Sequence, residues 1–181
     1  MRVRVVGAGI VGLTSALRLA EAGHQVEVVA AGFAAATTSS VAAALWYPYR
    51  ATPSDRVVGW LRTSFAELAG LAAEQSTGVR LLAGRELFAE PVADPWWRET
   101  VPDLTRATAA QLPAGYRDGY CLTVPVVDTS VHLAWLAERL AAAGVGRTVR
   151  RLADLTAALD GVDAAVNCTG LGARELVGTG R

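Results

Sequence analysis

The sequence predicts an α/β protein built on a parallel sheet, with an inserted α+β segment in the middle of the chain. A glycine-rich turn joins an apolar strand to a helix near the N-terminus, and helix and strand patterns alternate again after residue 127. The composition is 52% hydrophobic and 19% charged, which is typical of a globular domain rather than a disordered chain. A chain of 181 residues is also long enough to bury a substantial core.

The first 30 residues predict a strand, a helix and a second strand. Arg2–Val6 is a short apolar run, and Ile10–Ala22 places leucines at helical spacing. Gly23 is a helix stop signal, and Gln25–Ala30 has the composition of another strand. A strand–helix–strand unit of this length predicts two parallel neighbouring strands.

The middle of the chain predicts a separate, mixed lobe on the substrate side. Its expected elements, in chain order, are a loop at 32–40, a small helix near 41–44, a helix at 56–75, a hairpin of strands 79–83 and 86–89 joined by Gly84-Arg85, an irregular stretch at 91–97, a short helix at 107–112 capped by Thr108 and a strand at 120–126. We place the boundaries of this lobe at residues 47–126.

After the lobe, the sequence predicts a return to the parallel sheet. The expected elements are a helix from Asp128 to Ala143, a strand at 147–152, a helical turn at 155–159, a strand at 164–168 and a second glycine-rich turn at 169–172. Residues 1–46 and 127–181 are therefore assigned to one domain.

Composition excludes several function classes. The net charge is +0, so a nucleic-acid or anionic-membrane partner is not expected. There is no lysine, which excludes Schiff-base chemistry in this chain. Cys121 and Cys168 are interpreted as unreactive thiols of a cytoplasmic protein, and neither a signal peptide nor a bilayer-spanning run is expected. The surroundings of His24 and His132 predict no metal site.

The motif with the clearest chemistry is GAGIVG at residues 7–12. Its first glycine permits a tight turn, the second lets backbone approach a pyrophosphate, and the third lets helix and strand pack closely. The following helix presents free amides and a partial positive charge to the phosphates. In this context the motif predicts a Rossmann-like dinucleotide-binding domain; the alternative is a glycine-rich turn that binds nothing.

One part of that fingerprint is absent. An acidic residue is expected at the end of the second strand, where it holds the ribose hydroxyls, but Ala31 and Gly32 stand there. Glu27 lies further up the strand, where we expect it to be out of reach. Loss of such a hydrogen bond would weaken binding by about 1.5–3 kcal/mol. NADP binding would require a nearby arginine, and none follows Ala31 directly.

Several segments together resemble D-amino-acid oxidases. In order along the chain they are VVGAGIVGL at 5–13, TTSSVAAALW at 37–46, PW at 95–96, HLAWL at 132–136 and VNCTG at 166–170. The first part of that family's fold is a Rossmann-like FAD-binding domain with a parallel sheet, and the inserted lobe would be part of its substrate side. Many family members carry an acid and an arginine at the positions of Ala31 and Gly32.

The resemblance implies a non-covalently bound FAD. Residues 7–12 would hold its pyrophosphate, residues 37–39 its phosphate and ribityl region, residues 43–45 its flavin ring, Leu152 its adenine, and residues 169–170 would close over it. The implied cofactor-binding residues are Gly7, Ala8, Gly9, Ile10, Val11, Gly12, Thr37, Thr38, Ser39, Ala43, Ala44, Leu45, Leu152, Thr169 and Gly170.

The implied reaction is the oxidative deamination of a neutral D-amino acid by oxygen, giving a 2-oxo acid, ammonia and hydrogen peroxide. Leu45 and Tyr47 are candidate substrate-pocket residues, with simple aromatic packing as the alternative for Tyr47. Family members run well beyond Arg181, and their substrate-clamping residues lie in that later part, so no catalytic residue is assigned here. Two alternatives remain: a non-catalytic FAD-binding module completed by a partner chain, and a related glycine or sarcosine oxidase. A homodimer is left open.

Overall fold

The computed structural model describes residues 1–176 and contains eight strands and four α-helices in that range. The strands are β1 (Arg2–Val6), β2 (Gln25–Ala30), β3 (Ala44–Leu45), β4 (Val79–Phe88), β5 (Thr105–Arg106), β6 (Asp118–Val127), β7 (Gly146–Val149) and β8 (Ala164–Asn167). The helices are α1 (Ile10–Glu21), α2 (Asp55–Leu71), α3 (Thr129–Ala142) and α4 (Ala173–Leu176).

The chain divides into two compact units. The first combines Met1–Ala43 with the chain from Thr129 onward, and the second is Ala44–Asp128. The sequence-based boundaries lay at 46/47 and 126/127. The roles assigned to the two parts stay predictions.

The first unit is built on a four-stranded sheet in the order β7-β2-β1-β8. All three strand pairs are parallel, with Val5 opposite Val28 on one side and Val166 on the other. This confirms the predicted parallel sheet and its strand–helix–strand opening. Because the strands are parallel, their carboxyl ends all lie at the same edge of the sheet, where ligands of such folds bind.

The core of the first unit lies between this sheet and helices α1 and α3. Val5 and Val28 are fully buried in the sheet, and they cluster with Ala16 of α1 and with Leu136 and Leu140 of α3. Burial of each such aliphatic side chain contributes about 1.5–3 kcal/mol. The helix spacing read from the sequence thus identifies the faces that cover the sheet.

The buried Arg4 ties the sheet to the segment that precedes β8. Its Nε donates to Glu27 Oε1 over 2.8 Å, and its Nη1 donates to the Ala158 carbonyl over 2.9 Å. Arg4 is only 8% exposed, and burial of its charge without such partners would be costly. Glu27 is therefore held along β2 by Arg4 and does not reach the end of the strand.

The second unit contains an antiparallel sheet in the order β3-β6-β4, with β5 paired to β6. The predicted hairpin at Gly84-Arg85 is wrong, because β4 runs unbroken for ten residues beside the equally long β6. Gly84 lies opposite Leu122 and does not have a positive φ. A two-residue hairpin would require positive φ in the turn.

An aromatic cluster forms the core of the second unit. The Trp46 ring meets Phe65 edge-on with centroids 5.1 Å apart, and Trp97 lies 6.2 Å away. Trp46 Nε1 donates to Ser64 Oγ over 3.0 Å, so the buried indole keeps a hydrogen bond. Trp97 is buried, whereas Trp96 is partly exposed.

Two local predictions need adjustment, and a third is confirmed. The small helix expected near 41–44 is wrong, since a single 3₁₀ turn covers Thr38–Val41 and residues 44–45 join the sheet as β3. Strand β7 ends at Val149, so Leu152 lies in the following segment. The cap predicted at Thr108 is confirmed, with Gln111 completing a capping box on a short 3₁₀ turn. Among residues 1–176, no helix is both long and apolar enough to cross a membrane.

Candidate functional site

A cavity of about 650 Å³ lies at the carboxyl edge of the parallel sheet, lined by residues of the first unit. Its walls come from the segments that follow each of the four strands: residues 7–11, 31–39, 150–152 and 168–176 contribute. Cofactor pockets typically measure about 300–1,000 Å³. The position and size of this cavity suit a dinucleotide or a part of one.

The glycine turn after β1 is fixed by close backbone packing. Gly7 has φ +113°, and a Cβ on it would lie 2.3 Å from the Cys168 carbonyl oxygen. A Cβ on Gly12 would lie 2.0 Å from the carbonyl oxygen of Gly7. These two glycines therefore meet the conformational and packing requirements that the motif predicts.

Helix α1 directs its N-terminal amides into the cavity. Gly9 is its N-cap and provides no side-chain oxygen, and the first turn contains no acidic residue. The first amides of a helix have no intrahelical acceptor. Ile10 N–H donates to Ser39 Oγ over 3.0 Å, while Leu13 N–H begins the helical bonding to Gly9. The remaining first-turn amides and the partial positive charge of the helix are suited to binding an anion.

The loop at residues 34–40 forms a second wall and is held by its own hydrogen bonds. Thr37 Oγ1 donates to the Ala34 carbonyl over 2.9 Å, and Ser40 Oγ donates to the Thr37 carbonyl over 2.7 Å. Thr37, Thr38 and Ser39 all line the cavity, as the resemblance implies. The loop and the helix approach each other closely, since a Cβ on Gly9 would lie only 2.9 Å from Ser39 Oγ.

The segment after β8 forms the opposite wall. Asn167 Oδ1 accepts hydrogen bonds from the backbone N–H and the hydroxyl of Thr169, at 3.2 Å and 2.7 Å. Gly170 follows with φ +57°. Thr169 and Gly170 therefore line the cavity in a fixed turn.

Two arginines that sequence reasoning did not assign also line this cavity. Arg150 and Arg151 directly follow β7, and Leu152, the predicted adenine contact, comes next. Arg150 N–H donates to the Ala30 carbonyl over 2.8 Å, which places it beside the end of β2. In the sequence these two arginines lie far from Ala31, and no arginine directly follows Ala31. Knowledge that β7 pairs with β2 would have pointed to residues 150–151.

Gly12, which packs against the Gly7 carbonyl, does not line the cavity, and neither do four further predicted site residues: Ala43, Ala44, Leu45 and Tyr47. Leu45 lies in β3 at the edge of the second unit's sheet and is 57% exposed. Trp46 N–H donates to the Pro125 carbonyl on β6 over 2.9 Å. Since strand amides alternate in direction, the Leu45 N–H points to the open edge of the sheet. The roles of these four residues stay predictions.

The Tyr47 hydroxyl is occupied within the second unit. It donates to Glu86 Oε1 over 2.7 Å, and its ring packs edge-on against Trp97 at 5.4 Å. Burial, together with the hydrogen bond and the negative charge of Glu86, raises the pKa of Tyr47 to about 12. The phenol therefore stays protonated throughout the physiological range.

Cys168 lies behind the glycine turn and has the surroundings of an unreactive thiol. Burial raises its pKa, and Ser15 Oγ lies 4.0 Å from its sulfur. Within the described part of the chain, no cluster of three or more His, Cys, Asp or Glu residues is arranged to hold a metal ion.

Comparisons with known proteins agree with this geometry. The chain matches the DAO family, FAD dependent oxidoreductases, over residues 2–180. It is 46% identical over 176 residues to a D-amino-acid oxidase of Rubrobacter xylanophilus, covering 97% of this chain and 54% of that protein. A D-amino-acid oxidase of Streptomyces coelicolor is 44% identical over 178 residues, with the same two coverages.

Among solved structures, a glycine oxidase from Geobacillus kaustophilus superimposes with a TM-score of 0.72 at 19% identity, covering 97% of this chain and 57% of that one. This likeness supports the fold. The chain spans about half the length of the curated relatives it matches.

Proposed function

The chain belongs to the DAO family of FAD-dependent oxidoreductases, and on that premise we propose that the cavity of its first unit binds the ADP part of FAD. The observation that carries the proposal is the glycine turn, in which Gly7 and Gly12 leave no room for a Cβ. Next to it, the first-turn amides of α1 provide hydrogen-bond donors for a pyrophosphate.

Each wall of the cavity has a role in this proposal. The Thr38 hydroxyl lies on the loop that faces the helix N-terminus, where it would donate to a phosphate oxygen. The Thr37 hydroxyl donates to the Ala34 carbonyl, so Thr37 would contact the phosphates while holding the loop in place. Leu152 would contact the adenine, and Thr169 and Gly170 would cover the cofactor from the β8 side. The missing acid at Ala31 removes one hydrogen-bond acceptor for the ribose and does not alter the phosphate cradle.

For the whole protein we propose oxidative deamination of neutral D-amino acids, with oxygen as electron acceptor and hydrogen peroxide as product. Support comes from two relatives named D-amino-acid oxidase at 46% and 44% identity. Bound FAD would supply the hydride acceptor for this reaction. The chain's own contribution on the flavin side would be the backbone of residues 43–45, whose open-edge Leu45 N–H is free to support the flavin's polar edge. Leu45 is also a proposed substrate contact.

A substrate contact by Tyr47 would use its ring, because the hydroxyl is bonded to Glu86. A glycine- or sarcosine-type activity has only the fold likeness of the glycine oxidase structure in its favour. A cytoplasmic location, a homodimer and a complementary partner chain are predictions from the sequence.

The binding proposal is tested at Val11, whose side chain is 64% exposed in the first turn of α1 and lines the cavity. We expect Val11→Asp to weaken FAD binding at least tenfold, because a carboxylate beside the phosphates adds about 1 kcal/mol of repulsion per charge at 4 Å even in water. The readout is quenching of flavin fluorescence during titration.

Val11→Asn is the matched control, since it has nearly the same shape without the charge. We expect it to bind FAD within about threefold of the unaltered chain, as an exposed neutral substitution should. An acid in the first turn favours the helix, so loss of folding is not expected in Val11→Asp. Equal FAD affinity of the two variants would contradict the proposed phosphate site.

Catalysis is tested separately by following hydrogen peroxide after D-alanine is added to the FAD-loaded chain. Peroxide formation would support the oxidase activity for this chain. FAD binding without peroxide, with D-alanine and with glycine, would favour the binding-module alternative.

A further inference from the structure

The ribose end of the proposed FAD site contains a cation where dinucleotide-binding folds usually have an anion. The usual acid stands at the end of the second strand and accepts hydrogen bonds from the ribose hydroxyls. Here that position is Ala31, and the one acid on β2, Glu27, is paired with Arg4 at 2.6 Å. No carboxylate of β2 therefore faces this end of the cavity.

The topology brings Arg150 to the same place. β7 lies directly beside β2 in parallel, with Val149 opposite Ala30. The next residue, Arg150, donates its backbone N–H to the Ala30 carbonyl over 2.8 Å, and Arg150 lines the cavity together with Ala31 and Gly32. Arg150 thus lies at the edge where the adenosine ribose is expected.

The charges around this edge are not balanced. Arg151 pairs with Glu175 at 2.7 Å, and both line the cavity. Arg150 is exposed and makes no side-chain hydrogen bond or ion pair with any residue in 1–176. One of the two positive charges is therefore available to a ligand.

We propose that Arg150 determines recognition of the adenosine ribose and gives this site a preference for adenosine that carries a phosphate on its ribose 2′-hydroxyl. This inference rests on the proposed FAD site. A guanidinium donates in a planar fork that matches a phosphate, whereas a carboxylate at Ala31 would repel one. With FAD, the same group would donate to the ribose hydroxyl oxygens.

The test compares adenosine 5′-monophosphate with adenosine 2′,5′-bisphosphate by calorimetric titration of the full chain. The two probes differ only in the 2′-phosphate. We expect the bisphosphate to bind about tenfold more tightly, and Arg150→Gln to remove most of this difference. Adenosine 3′,5′-bisphosphate should show a smaller gain, because the proposed contact is to the 2′ position.

Two further variants separate recognition from general charge. Arg147→Gln removes an exposed arginine of β7 that does not line this cavity, and we expect it to keep the preference. Ala31→Asp restores the usual acid at an exposed position and should reverse the preference in favour of the monophosphate.

The outcomes separate the two proposals. Tight monophosphate and FAD binding without a gain from the 2′-phosphate would overturn the role of Arg150 and leave the FAD site standing. If Arg147→Gln and Arg150→Gln reduced the preference for the 2′-phosphate equally, the proposed role of Arg150 would be overturned as well. If the unaltered chain bound neither probe nor FAD, both proposals would fail.

Discussion

At the scale of single residues, close packing explains why positions 7 and 12 are glycine. Intrinsic helix propensity does not explain it. Gly12 lies inside α1, where alanine would ordinarily be the better helix former. Its contact with the Gly7 carbonyl oxygen excludes a side chain, because both partners are backbone and cannot move aside separately. The turn that cradles the proposed pyrophosphate is thus locked to the sheet.

A pair of glycine-to-alanine substitutions tests this reasoning. Gly12→Ala should destabilise the chain by about 1–3 kcal/mol, as overpacking of a closed contact does. Gly59 lies in α2, and a Cβ there would meet nothing within 4 Å. Gly59→Ala should therefore be neutral or stabilise by up to about 1 kcal/mol. Urea denaturation of both variants measures the difference, and similar effects at the two positions would contradict the packing argument.

At the scale of elements, strands β1, β2 and β8 and helices α1 and α3 of the first unit were predictable because their apolar residues follow a single clear period. The unbroken strand β4 was not predictable, because Gly84-Arg85 has the composition of a turn. Only pairing with β6, which is distant in sequence, holds these residues in an extended strand. The proposed phosphate cradle follows from a local motif. Arg150 was missed because its place beside Ala31 depends on which strand neighbours β2, and that order is not encoded locally.

In the second unit, an ion pair between Arg106 on β5 and Asp118 on β6 joins the two strands. The guanidinium also bonds Asp94 Oδ1 at 2.5 Å and lies over the Tyr120 ring, 5.1 Å from its centroid. Asp118 accepts hydrogen bonds from Val92 N–H at 2.9 Å and Arg106, and these lower the pKa of its carboxyl group. The ionised carboxylate therefore holds β5 and the segment near Val92 against β6.

Replacement of this carboxylate should destabilise the second unit in a pH-dependent way. Because the folded-state pKa of Asp118 is lowered, its contribution is present above the unfolded value of about 3.9 and is lost as the pH falls through the folded value. Asp118→Asn should thus lower the unfolding midpoint at pH 7, and the deficit should shrink well below pH 4. Glu90→Gln, which removes an exposed partner of Arg117, should change stability little at either pH. A deficit for Asp118→Asn that did not depend on pH would contradict the ionic account.

At the scale of the whole molecule, each unit has its own sheet and its own core. The proposed cofactor cradle is built within the first unit, from the four segments that follow its parallel strands. The proposal therefore predicts binding of the ADP part of FAD by this chain, which spans about half the length of its curated relatives. Catalysis by the whole protein is a separate proposal.

The most direct test of that cradle is hydrogen–deuterium exchange with and without saturating FAD, read peptide by peptide. Bound ligand stabilises the folded state by about 2.7 kcal/mol at a hundredfold excess over the dissociation constant, and the amides it contacts exchange more slowly. The account predicts slower exchange in peptides that cover residues 6–13, 31–40 and 167–172. Saturable FAD binding that left the glycine turn at 6–13 unprotected would contradict it.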